Sequence, residues 1–196
     1  MLYNHRLVPV SDRFAIANVL VEELSKKYSS VLDLGAGHCR FSQMAHKWGM
    51  KVTAMDARTV RRPKLPTDIS YVEGDFLKVD VPGDFDVILM LGIFYHLTVA
   101  EQHILMSKYK GRPVLLDTHY APEDGSYENG KYRGQDYQEG PNLEMMKKNP
   151  KASFTSLVSF WHTEKSLVNF LSEYFSTVTK ISPEHHPERT FFICEP

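Results

Sequence analysis

The chain has 196 residues, 42% hydrophobic and 24% charged, the proportions of an ordinary globular protein large enough to bury a core. A formal net charge of −1 lacks the basic surplus that phosphate-backbone binding demands, which disfavours nucleic acid as a partner. No apolar run approaches the roughly 18 residues of a membrane span, Met1–Arg6 lacks a signal-peptide layout, and Cys39 and Cys194 form no disulfide framework or metal-ligand spacing; a cytoplasmic protein with no membrane partner and no metal is expected.

Strand-like runs alternate with helix-period segments, the pattern of an α/β sheet. From Ser11 to Tyr28, Ala17, Leu20, Val21, Leu24 and Tyr28 share one helical stripe. Val31-Leu32-Asp33-Leu34 reads as a short buried strand. Phe41, Met44, Ala45 and Trp48 then repeat at helical spacing, and Gly49 ends that helix. Strands follow at Val52–Met55, Ser70–Val72 and Asp86–Leu91. Thr98 with Glu101 three residues on forms a capping box, so a helix begins there and stops at Gly111. Val114–Leu116 is the next strand. A helix from about Thr163 carries Leu167, Phe170, Leu171, Tyr174 and Phe175 on one face, and strands near 177–181 and 190–193 close the chain. No repeat or linker divides it, so one domain over residues 1–196 is expected. The stretch from about 119 to 162 breaks the alternation, rich in Gly, Pro, Asn and Tyr; long irregular connections of this kind are commonly functional, and its aromatic content suits a substrate-covering insertion.

The most informative segment is Asp33-Leu34-Gly35-Ala36-Gly37, where a strand runs into a Gly-x-Gly turn and directly into a helix. Glycine permits a tight turn and close backbone approach to a ligand, and helix N–H groups then face the ligand's polar end. The third glycine of a dinucleotide fingerprint falls at Arg40, which weighs against an NAD-dependent oxidoreductase. Asp56 ends the next strand, placed to accept hydrogen bonds from two ribose hydroxyls. Gly74-Asp75-Phe76 follows the third, offering a carboxylate to an adenine amino group and a ring to the purine face.

Taken in order, Asp33-Leu34-Gly35-Ala36-Gly37, Asp56, Gly74-Asp75-Phe76 and Phe85-Asp86-Val87-Ile88 resemble the successive motifs of class I S-adenosylmethionine (SAM)-dependent methyltransferases. The resemblance is close over residues 11–117 and in outline beyond. It implies a doubly wound, Rossmann-like seven-stranded sheet of order 3-2-1-4-5-7-6 with strand seven antiparallel. It implies SAM as cofactor, with Asp33, Gly35, Ala36 and Gly37 near its methionine, Asp56 and Ala57 near its ribose, and Gly74, Asp75 and Phe76 near its adenine. Leu91, at the exit of the fourth strand, is counted with these contacts. Cys39 stands where many members carry a third glycine.

That exit reads Gly92-Ile93-Phe94-Tyr95-His96-Leu97 and lacks the Asn/Asp-Pro-Pro-Tyr motif of amino-directed DNA and glutamine methyltransferases. It is similar instead to small-molecule methyltransferases and to the tRNA wobble-uridine carboxymethyl-transferring group. The expected reaction is methyl transfer to an oxygen or nitrogen of a small-molecule acceptor. An RNA-modifying enzyme and a non-catalytic SAM-binding module are the alternatives. Candidate catalytic residues are Tyr95, His96 and His119; a continued strand would put Asp117 and His119 on one face, a carboxylate-oriented imidazole. Tyr127, Tyr132, Arg133, Tyr137 and His162 are candidate substrate contacts, with Arg133 suited to a carboxylate or phosphate. The basic run Arg58, Arg61, Arg62 and Lys64 reads as a solvated loop.

Overall fold

Successive side chains of a strand point to opposite faces, so a strand buried along almost its whole length must be covered on both sides. That is the situation of β2 (Ser30–Leu34) and β5 (Val87–Leu91) in the computed structural model, which describes residues 1–8, 12–149, 151–183 and 189–196. Leu32, Leu34, Ile88 and Met90 face one core, packed against α3 (Val99–Lys108) and α5 (Glu164–Leu171). Val31, Val87, Leu89 and Leu91 face the other, packed against α1 (Arg13–Ser25) and α2 (Arg40–Lys47). A sheet with helices on both faces results, as the alternation of elements predicts.

The sheet has eight strands, where seven were expected. The remaining strands are β1 (Leu2–Val8), β3 (Lys51–Asp56), β4 (Ser70–Glu73), β6 (Val114–His119), β10 (Thr177–Pro183) and β11 (Arg189–Glu195). Their order is β1-β10-β11-β6-β5-β2-β3-β4. The additional strand is β1, which lies parallel to β10 at the edge, from Leu2 opposite Thr177 to Val8 opposite Pro183. β11 runs antiparallel to both β6 and β10, while β2, β3, β4, β5 and β6 are mutually parallel where they pair. The chain reverses its winding between β2 and β5, and the carboxyl ends of those two strands flank the crevice where open α/β sheets bind ligands.

Helix boundaries follow local chemistry. Ser11, where the sequence places the start of the first helix, lies outside the described residues; α1 is capped by Asp12, whose side chain accepts the Ala15 amide. Thr98 and Glu101 form the expected capping box at α3, and Thr163 caps α5.

The irregular stretch folds into a second, three-stranded antiparallel sheet of β7 (Tyr127–Asn129), β8 (Tyr132–Gln138) and β9 (Val158–His162), with the short α4 (Leu143–Lys148) between the last two. It docks on the turn after β5. The Phe160 amide donates to the Leu97 carbonyl at 2.9 Å, the Trp161 indole to that of Tyr95 at 2.9 Å, and buried Gln102 donates to the Phe160 carbonyl. No helix among the described residues is long and apolar enough to cross a membrane.

Candidate active site

The turn after β2 is held by hydrogen bonds from the next strand. Asp56, at the end of β3, accepts the amides of Gly37 and Arg58, both at 2.8 Å, one on each carboxylate oxygen. Gly35 sits at φ +66°, and a Cβ there would collide with the Ile93 side chain, so only glycine lets the turn close against the segment after β5. Beneath it, Asp33 is buried and accepts the Ser42 hydroxyl, tying β2 to α2. Burial pushes its carboxyl up to about 7, against the opposing pull of the Ser42 hydrogen bonds.

Two adjoining clefts open along these strand ends. One, of about 630 Å³, is floored by Gly35, Asp56, Ala57, Asp75 and Phe76 and roofed by residues 151–155 of the insertion. The other, about 1230 Å³, runs over Ala36, Gly37, Leu91 and Tyr95 toward Arg13, Phe14 and Phe41. Gly35, Arg61, Gly92, His96 and Lys151 border both. Asp33 and Gly74 stand behind the lining, Gly74 donating its amide to the Asp56 carbonyl at 3.0 Å.

An adenosyl group fits the first cleft on two counts. Asp75 Oδ1 accepts the Leu77 amide, while Oδ2 is buried and accepts no hydrogen bond, the Lys78 ammonium standing 3.4 Å away, so a bound amino group would supply the donor it lacks. Phe76 supplies an apolar wall beside it.

The insertion is fastened to this floor by Arg58. Its guanidinium donates to the carbonyls of Ala152 at 3.1 Å and Ser153 at 2.9 Å, reaches that of Met146, and lies over the Phe154 ring. Arg58 is thus a clamp, where the sequence suggests a solvated loop residue. Ser153 passes the connection on: its amide donates to buried Glu139 at 2.9 Å. Glu139 also accepts Ser159 Oγ at 2.8 Å and sits on His96 Nδ1 at 2.8 and 2.9 Å. Burial works to raise the Glu139 carboxyl, and the hydrogen bonds from His96, Ser153 and Ser159 outweigh it, holding the group below its ordinary value. An ionised Glu139 fixes the proton on His96 Nδ1 and leaves Nε2 as the ring's remaining acceptor.

The other predicted residues lie further out. β6 does continue to His119, but Asp117 accepts Arg13 Nε at 2.5 Å, and Arg13 Nη2 donates to the Leu91 carbonyl. His119 stacks on Trp161, with ring centroids 5.1 Å apart, and meets Tyr95 edge-on behind the cleft wall. Tyr137 stacks on the opposite side of the same system, 4.7 Å from Trp161. Of the five described residues read as substrate contacts, none lines either cleft. Arg133 pairs with Glu123 and Glu128 on the surface, and Tyr127 is exposed with its hydroxyl on Asp136. Tyr132 is buried with its hydroxyl on Glu173, and His162 is buried between Gln102 and Ser166. Burial drives the His162 imidazole down to about 3, so it is neutral and structural.

This is the fold of class I SAM-dependent methyltransferases. The N-terminal domain of EvdMO1, solved with S-adenosylhomocysteine (SAH) and D-fucose, superposes with a TM-score of 0.71 at 20% identity, over 95% of this chain and 82% of that one. The glycopeptide N-methyltransferase MtfA, solved with SAM, gives 0.62 at 16% identity over 95% of each chain. In sequence, a Bacillus mycoides protein named an uncharacterized methyltransferase is 31% identical over 130 residues, 60% of this chain and 61% of its own. A Bacillus cereus protein of the same description is 30% identical over the same span. The chain therefore spans about three fifths of the length of the curated relatives it matches. No protein-family model matches it. The resemblance read from the motif series is borne out.

Proposed function

We propose that the chain is a SAM-dependent methyltransferase that methylates an oxygen or nitrogen of a small-molecule acceptor. The observation that carries this reading is a buried Asp75 oxygen that accepts no hydrogen bond, with the Lys78 ammonium 3.4 Å from it, at the end of a cleft that begins at the Gly35–Gly37 turn. Asp75 and Phe76 would hold the adenine, Asp56 and Ala57 the ribose, and the Gly35–Gly37 turn with Leu91 the methionine part. When bound, SAM supplies an already activated methyl group, so the protein's work is alignment and proton removal.

His96 is the residue placed for the proton. It borders both clefts, and Glu139 orients its ring. Nε2 can take a proton from an acceptor hydroxyl or ammonium while Glu139 stabilises the imidazolium that forms. Tyr95 forms the adjoining wall. The roof of residues 151–155 excludes water from the adenosine end and suits a small acceptor better than a polymer. It agrees with the acceptors named for proteins sharing the fold, among them a 1,6-didemethyltoxoflavin-N1-methyltransferase and N-acetylserotonin methyltransferase.

Calorimetric titration with SAH tests the reading. Binding by the wild type, weakened about tenfold to a hundredfold in Asp56→Ala, is expected, because that change removes a charged hydrogen-bonding group and frees the glycine turn. A folded wild type that takes up no SAH refutes it.

A further inference from the structure

Arg58 commits only part of its guanidinium to the roof of the first cleft. The two terminal nitrogens donate to the carbonyls of Ala152, Ser153 and Met146. Nε is buried and has no hydrogen-bond partner, and Arg58 lines the cleft itself. The Phe154 ring packed on the guanidinium supplies no lone pair to it. Burial pulls the guanidinium below its ordinary value, against the attraction of Asp56. A buried N–H without an acceptor costs the fold free energy, and native structures rarely leave one so.

The backbone of Arg58 sets where its side chain starts. Its amide donates to Asp56 Oδ1 at 2.8 Å, and Asp56, Ala57 and Arg58 line the first cleft in succession. The guanidinium therefore belongs to the carboxylate that would hold the ribose, not to the adenine end at Asp75. A ribose hydroxyl that donates its proton to Asp56 keeps two lone pairs on its oxygen; these call for a donor, which a carboxylate cannot supply. We infer that the Arg58 Nε–H is a cofactor contact, donating to one ribose hydroxyl of the bound adenosine, so that a single guanidinium joins the cofactor to the roof above it. The inference rests on the methyltransferase reading and deepens it at the first cleft.

Calorimetric titration with SAH and with its 2′-deoxy and 3′-deoxy analogues tests it, because a contact to one hydroxyl makes the effects of variant and analogue non-additive. In Arg58→Lys a methylene stands where Nε stood, while the ammonium beyond it keeps the charge and can still donate to the roof carbonyls. SAH is expected to bind Arg58→Lys about tenfold more weakly than the wild type, the scale of one hydrogen bond from a charged group. With the analogue that lacks the contacted hydroxyl, wild type and Arg58→Lys should differ by less than about twofold. The other analogue should show the full loss, which identifies the hydroxyl. Arg58→Met also releases the roof, so it should weaken SAH further and keep the same dependence on one hydroxyl. An Arg58→Lys variant that binds SAH as the wild type does overturns the inference. So does a loss of equal size for SAH and both analogues, which would leave Arg58 acting through the roof alone. A wild type that binds no SAH refutes the methyltransferase reading instead.

Discussion

At the scale of single residues, the site depends on side chains whose ionisation the fold has altered. Asp33 carries a carboxyl raised by burial to about 7, compared with an ordinary value near 4 in an unfolded chain. An acid whose pKa is raised on folding favours the native state at low pH. That contribution fades as pH climbs through the unfolded and then the folded value, and above about 7 the buried charge is a cost. Asp33→Asn keeps an oxygen to accept the Ser42 hydroxyl but has no charge to bury. Urea unfolding is therefore expected to show the variant gaining on the wild type as pH rises from 6 to 8.5. A stability difference that does not change with pH would show that Asp33 is not titrating in this range. The position of Asp33, of the glycine turn, and of Asp56 and Asp75 was legible in the sequence, because each lies in or just beyond the carboxyl end of a short strand that the pattern marks. Arg13 and Arg58 were not, since their partners, Asp117 and the carbonyls of residues 152 and 153, lie about a hundred residues away along the chain.

At the scale of elements, the main-sheet strands that border the site and the capped helices were readable from periodicity and capping residues, whereas the insertion was readable only as irregular. β7 is exposed along its length, β9 is separated from β8 by α4, and the two-residue alternation that betrays a strand is blurred in β8 by Gly134 and by the polar run around it. The consequence fell on the chemistry. His96 was recognised beside its strand, but the carboxylate-oriented imidazole was sought at His119 with Asp117, and Glu139, 43 residues downstream of His96, was not singled out. The structure joins Asp56, Arg58, Ser153, Glu139 and His96 through successive backbone and side-chain hydrogen bonds, so the insertion both roofs the first cleft and aims the imidazole. Glu139 acts through His96 and is a positioning residue. Glu139→Gln should lower kcat on a productive acceptor by about a hundredfold, the lower end of what a general base contributes. KM for SAM and the Kd for SAH should stay within about twofold, since no first-cleft contact is lost. A parallel loss of SAH binding would mean that the variant has disturbed the roof, and an unaltered kcat would remove His96 from the proton transfer.

At the scale of the whole molecule, the extra strand changes what the sheet exposes. Leu2–Val8 has no sustained alternation, and nothing in it announced a strand. Its side chains from Leu2 to Arg6 are exposed, so apolar burial does not hold it in place. What holds it is backbone pairing along all of β10, together with the paired hydrogen bonds of Arg6 to Glu23 at 3.0 and 2.9 Å. Without β1, β10 would be the edge of the sheet and would present a row of unpaired amides and carbonyls, the surface most prone to recruit another chain. Deleting residues 2–8 should therefore leave the clefts able to bind SAH, since β10 lies at the opposite side of the sheet from β3 and β4. The same deletion should make the protein associate with itself in a concentration-dependent way, measurable by light scattering and sedimentation velocity. Retention of the wild-type sedimentation profile at high concentration would assign the protection of β10 to something other than β1. Loss of SAH binding would mean that the edge strand also supports the site, by transmitting order through β10 and β11 to the carboxyl end of β6, where Asp117 anchors Arg13 beside the second cleft.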